Sequence, residues 1–148
     1  MKLLSEASES GLRAIVWMAQ RRSDSHKVRD IAEGIQAAPG YLVKVLQELS
    51  KSGILSARRG SQGGFTLIRN PEGLTALEVI TAIDPIERIT SCPLRLSSHG
   101  TQLCPLHRRI DDALAIIEES FRSATIADMI RASGQPIPLC NALNCEGS

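Results

Sequence analysis

The chain has 148 residues, 43% of them hydrophobic but only four aromatic, which fits one domain with an appended element and a core of Leu, Ile, Val and Ala. Such a core favours helices over a β-sandwich. No apolar run approaches the roughly 20 residues that cross a membrane, and Met1-Lys2-Leu3-Leu4-Ser5-Glu6 turns polar too early for a secretory signal. The expectation is a cytoplasmic protein whose four cysteines are reduced and serve metal or redox chemistry rather than structural disulfides.

The net charge of +1 conceals a division. Residues 1–70 carry 11 Lys/Arg against 6 Asp/Glu, a net of +5, while residues 71–148 carry 6 against 10, a net of −4. A basic front half suits a polyanion, and an acidic back half limits indiscriminate binding to it.

Ser5 can cap a first helix, with Leu12, Ile15, Val16 and Ala19 at helical spacing and an end near Arg21-Arg22, where cations suit the helix dipole. Trp17 is expected to pack on a neighbouring element, and His26, in a polar loop, to lie on the surface. A second helix spans 28–35, with Val28, Ile31, Ala32 and Ile35 on one face. After the Gln36-Ala37-Ala38 connection, Pro39 suits the first turn of a third helix. There Leu42, Val45, Leu46 and Leu49 form the inner stripe, and Gly53 ends it. Two helices joined by so short a turn are a helix-turn-helix signal.

Residues 54–59 read as a strand and 64–68 as its return, with Gly60-Ser61-Gln62-Gly63 as the turn. A hairpin directly after a helix-turn-helix is a wing. Arg58 and Arg59 at its base and Gln62 at its tip suit phosphates or a narrow minor groove. The fold class is therefore mainly α with a small β-hairpin wing. The candidate DNA-contacting residues are Pro39, Gly40, Tyr41 and Lys44 on the third helix, and Arg58, Arg59, Ser61 and Gln62 on the wing.

Beyond Pro71-Glu72-Gly73, Thr75 caps a helix that runs to Ile83 and stops at Asp84-Pro85. Cys92 to His107 then holds two cysteines and two histidines among prolines and a glycine that discourage regular structure. From 106 to 121, Ile110, Leu114, Ile117 and Phe121 form an apolar seam suited to pairing with a second copy. Thr125-Ile-Ala-Asp opens a last short helix. The expected division is 1–70 for the winged helix, 71–131 for the loop and pairing helices, and 132–148 for a flexible tail. In that tail Cys140 and Cys145 supply further ligands, form a redox pair, or do neither.

Several of these stretches together resemble the IscR/NsrR-type transcriptional regulators of the Rrf-two superfamily. They are Glu9-Ser-Gly-Leu-Arg-Ala14, Tyr41 to Leu49, Arg59-Gly-Ser-Gln-Gly-Gly-Phe-Thr-Leu67, Cys92 to His107, and Thr125-Ile-Ala-Asp128. The resemblance spans residues 1–131. It implies a homodimeric winged-helix DNA-binding protein, with the helix from Pro39 in the major groove and Arg59 approaching the minor groove. It also implies that the long C-terminal helix crosses over in the dimer. Many members carry an iron–sulfur cluster; for this loop, where the donors and not the resemblance must make the case, the expectation is one of the 2Fe-2S type. Relatives place three cysteines in this loop. Here Cys92 and Cys104 match the first and third, His107 matches a ligand of some members, and Ser98 followed by His99 stands at the middle position. Glu9 aligns with a carboxylate that in certain members reaches the partner subunit's cluster.

Thiolate and imidazole donors suit iron–sulfur clusters and zinc alike. Cys92, Cys104 and His107 supply three ligands, and the fourth is Glu9 from a partner subunit or His99. Zinc, or no metal at all, are the alternatives. No phosphate-binding Gly loop, catalytic serine or carboxylate pair points to an enzyme. Two functional readings stay open: a cluster-dependent switch on DNA, and a cluster-free repressor controlled by thiol chemistry, a small molecule or a partner protein.

Overall fold

Among the residues described by the computed structural model (2–21, 24–131 and 134–139), the order of elements follows the sequence pattern. They are α1 (Glu6–Ala19), α2 (Val28–Ile35), α3 (Pro39–Lys51), β1 (Leu55–Arg58), β2 (Gly64–Leu67), α4 (Ala76–Ile83), α5 (Pro105–Arg122) and α6 (Ile126–Arg131). Arg22, Cys140 and Cys145 lie outside the described residues.

Local chemistry explains most of the boundaries. The Ser5 hydroxyl accepts from Ser8 N at the start of α1. At its end Arg21, one residue past the cap, donates to Trp17 O at 3.0 Å and so meets a carbonyl that the helix leaves unpaired. Gln36 ends α2 in the left-handed region with φ 57°, and its successor Ala37 donates back to Ala32 O. That turn directs the chain into α3, whose first residue is Pro39.

The apolar stripes meet in one core. Ile15 of α1, Ile31 of α2, and Leu42, Leu46 and Leu49 of α3 are fully buried. Leu74, Val79 of α4 and Ile126 of α6 belong to the same cluster, so the core runs without a break past residue 71. From residues 134–139, Leu139 packs against this core, and Pro138 O accepts from the Gln20 side-chain amide at 2.7 Å.

The two strands pair antiparallel with Leu55 opposite Leu67 and Arg58 opposite Gly64. Gly60, at φ +102°, turns the hairpin. The expected surface position of His26 is corrected here: the residue is only 8% exposed. Its backbone forms a bridge with Phe65 on the outer edge of β2, and its ring stands edge-on to Trp17. The polar flanks Ser23-Asp24-Ser25 and Lys27 concealed a partner supplied by tertiary structure.

A second bridge, Thr75 with Thr125, brings the starts of α4 and α6 side by side. Ala76 N donates to Ala124 O and Ile126 N to Leu74 O. Each threonine caps its own helix reciprocally: Thr75 with Glu78, and Thr125 with Asp128. Between these anchors the chain makes a long excursion through the cysteine loop and α5. No residue of α5 is fully buried. Of the expected seam, Leu114, Ile117 and Phe121 are half-buried and Ile110 is 42% exposed.

Candidate nucleic-acid interface and cysteine loop

The candidate reading head comprises the start of α3 and the tip of the hairpin. Pro39, Gly40, Tyr41 and Lys44 occupy the first turns of α3 and are all exposed, while the opposite stripe of the same helix is buried. Arg58, Arg59, Ser61 and Gln62 are exposed at the end of β1 and in the turn that follows. The structure brings each set together on its own element, and α3 packs directly on β1. Tyr41 also lines a cleft of about 340 Å³ with Lys2, Glu6, Glu9, Arg13 and Gln36. Glu9 is exposed on α1, and its carboxylate is paired with the Arg13 guanidinium one turn along the helix.

In the cysteine loop, Arg95 N donates to Cys92 O, a 3-10 turn covers Ser97–His99, and Gly100 follows at φ +54°. The loop holds two thiol–imidazole pairs. His99 Nδ1 lies 3.2 Å from Cys92 Sγ, and His107 Nδ1 lies 3.3 Å from Cys104 Sγ. Cys92 is buried and Cys104 half-buried, and both are free thiols. Cys104 is the N-cap of α5, with Pro105 at the first helical position, so His107 comes round one turn later onto the same side. No three His, Cys, Asp or Glu side chains converge on one metal-sized point among the described residues. Of the expected ligands, His99 and His107 each meet a cysteine, whereas Glu9 is in neither pair.

One element of the site has no signal in the sequence. Arg88 grips Asp111 of α5 with two parallel bonds of 2.7 Å, and reaches Glu118 at 3.5 Å. Ile89 N donates to the same Asp111 carboxylate at 2.9 Å. The Arg88 fork, aided by that amide, holds the Asp111 carboxyl down to about 2, and the pairing raises the Arg88 guanidinium in turn. The stretch leading into Cys92 is thereby clamped to the helix that follows Cys104. The partners lie 23 residues apart with no periodicity to connect them.

The sequence profile of the Rrf2 (Rrf-two) family, described as iron-dependent transcriptional regulators, matches residues 4–132. The chain belongs to this family. It is a DNA-binding transcriptional regulator, not an enzyme. A protein of Aquifex aeolicus (strain VF5), provisionally named an HTH-type transcriptional regulator, is 28% identical over 131 residues, covering 86% of this Rrf2 chain and 91% of the relative. Two solved structures share the fold. One is IscR of T. potens, with TM-score 0.71 and 23% identity over 89% of this chain and 88% of that one. The other is CymR (YrzC), described as the global cysteine regulator of B. subtilis, with TM-score 0.66 and 24% identity over 87% and 96%. The mainly helical architecture with a two-stranded wing matches both. No helix among the described residues is long and apolar enough to cross a membrane.

Proposed function

We propose that this chain is a homodimeric cytoplasmic regulator that grips double-stranded DNA with α3 and the wing, and that senses redox, nitric oxide or iron–sulfur status through a cluster of the 2Fe-2S type on the Cys92–His107 loop. The observation that carries this reading is the pair of thiol–imidazole contacts. Two donors on one tetrahedral metal, at roughly 2.3 Å for sulfur and 2.0 Å for nitrogen, lie about 3.5 Å apart. Cys92 with His99, at 3.2 Å, and Cys104 with His107, at 3.3 Å, each come within a few tenths of an ångström of that bite. Two separate pairs suit two irons with two protein ligands each better than a single zinc ion, which needs its donors around one point. The iron-dependent description of the family supports the choice of metal.

When bound, such a cluster supplies an iron centre open to oxidation and to nitric oxide. The chain's own residues do the rest. Cys92, His99, Cys104 and His107 are the four ligands on this reading, leaving Glu9 with Arg13. Recruiting Glu9 of the partner subunit as the fourth ligand would break that ion pair. It would also alter a cleft that Tyr41, at the start of α3, lines as well. On the DNA side, Pro39, Gly40, Tyr41 and Lys44 face the major groove, and Arg58, Arg59, Ser61 and Gln62 meet phosphates or the minor groove. The outward apolar positions of α5, Leu106 at 65%, Ile110 at 42% and Ile116 at 72% exposure, support its pairing with a second copy.

A cluster-free regulator governed by thiol chemistry, a small molecule or a partner protein is the second reading. Two unbridged thiols, Cys104 only half-buried, favour it. Anaerobic purification decides between them. Visible absorption with stoichiometric iron and sulfide, lost in Cys92→Ala and Cys104→Ala, is expected for the cluster; a colourless, iron-free protein rejects it. A gel shift on the protein's own upstream DNA that weakens with salt tests both readings.

A further inference from the structure

Trp17 is the meeting point of the parts that carry the reading head. It packs so tightly on Gly34 of α2 that a Cβ there would overlap the indole Nε1. The Arg21 guanidinium covers a ring face at 4.0 Å from the centroid. His26 stands against it edge-on, with centroids 5.0 Å apart and planes at 73°. The backbone of His26 is tied to the wing: His26 N donates to Phe65 O and Phe65 N donates to His26 O, both at 2.8 Å. The Thr66 hydroxyl adds a bond to Asp24 O. Both polar groups of Phe65 therefore turn away from β1, and β2 is held at both edges. The fit leaves no slack: a Cβ on Gly64 would overlap His26 O and lie 2.7 Å from Ser25 Oγ.

We propose that His26 is a positioning residue for the wing: its neutral ring, seated against Trp17, holds residues 24–26 on β2, and protonation of that ring frees the wing. The groups facing the imidazole set the sign. Burial, and then the Arg21 cation at the end of α1, keep its pKa below the ordinary value, while Asp30 of α2 opposes them. Phe65 and Gly64 of β2 bring no charge. A histidine favoured in its neutral form contributes its seating fully above about pH 6.5, the free value. That contribution is lost as pH falls from there through the lower seated value, by up to roughly tenfold per pH unit within the window. The direction is distinctive. A surface histidine gaining charge near phosphates tightens DNA binding on acidification, whereas here acid loosens the grip.

The inference rests on the wing's role in DNA contact proposed above, and its test separates the two. In the full chain, amide-exchange protection at His26 and at Phe65 is measured above and below pH 6.5, in the parent and in His26→Phe, which keeps an edge-on ring without a titrating proton. The parent should lose protection there, by up to roughly tenfold per pH unit, and more than the α3 core does; His26→Phe should show no such difference. Equal pH dependence in both proteins overturns the proposal. Should His26→Phe fail to fold, the parent alone decides by an NMR titration of the His26 ring: a midpoint at or above the free value overturns the proposal, and one below it supports it. Binding to generic duplex DNA at fixed salt completes the test. Weakening on acidification in the parent but not in His26→Phe is expected. Unchanged binding despite the lost protection removes the wing from the DNA interface and leaves the seating by His26 standing.

Discussion

Replacing Gly34 with alanine sets two effects of opposite sign against each other. Alanine is favoured over glycine in a helix by at most about 0.8–1 kcal/mol. The added methyl, however, would overlap Trp17 Nε1 and lie 2.5 Å from Cε2 and 2.6 Å from Cδ1. The indole has nowhere to retreat: it is 7% exposed, with Arg21 on its face and His26 at its edge. Overpacking of this kind costs about 1–3 kcal/mol, and a rigid ring puts the site in the upper part of that range. A net loss of about 1–2 kcal/mol follows, or a Tm lower by roughly 2–8 °C for a chain of this length. Thermal and urea unfolding of parent and variant measure it. Gly40→Ala is the control, because a Cβ there meets nothing within 4 Å and should leave stability equal or higher. A Gly34→Ala protein as stable as its parent refutes the reasoning. Combining it with Trp17→Leu should give a loss smaller than the sum of the two, because the smaller side chain makes room for the methyl.

Arg59→Ala should weaken binding across all DNA sequences and lower the salt slope by about one, with unfolding unchanged because the residue is exposed. Arg88→Ala removes the fork on Asp111, so exchange at Ile89 N–H should accelerate while the Tm holds; equal protection in parent and variant would refute the clamp. Asp111 contributes its bonded, charged form fully above the ordinary carboxylate value, and loses it only as pH falls through about 2. The clamp should therefore persist in mild acid, as read by the same amide. Thr75→Ala should cost about 1 kcal/mol through the lost cap on α4. In that variant the Glu78 carboxyl keeps the backbone N–H of residue 75, which is the first cause holding it below its usual range, and loses only the hydroxyl bond, so by NMR titration it should stay below the ordinary value.

Elements whose cause is local were legible in the sequence. Pro39 at the start of α3, the Thr75 cap of α4, and the inner stripe Leu42, Val45, Leu46 and Leu49 all follow from side-chain chemistry within a turn or two. Cys92, Cys104 and both histidines stood out by donor type, but composition could not reveal that they couple as Cys92 with His99 and Cys104 with His107. The first pair closes across a loop that passes through Arg95 at positive φ, whereas the second is a single turn of α5. What the sequence hid are contacts between remote residues with no shared period. His26 looked polar and solvated until Phe65 came alongside it, and Arg88 finds Asp111 only after α5 has folded back.

The bridge between Thr75 and Thr125 has a consequence for how such a chain changes over generations. Everything from Asp84 to Ala124 leaves the core after α4 and returns at the start of α6, and both anchoring threonines are capped within their own helices. The excursion is a bight of rope made fast at its base. Closing a loop already pinned at its base costs only slowly more as it lengthens. Donors can therefore be exchanged, as Ser98 and His99 stand here, or residues inserted between the two threonines, while the winged helix keeps its own architecture.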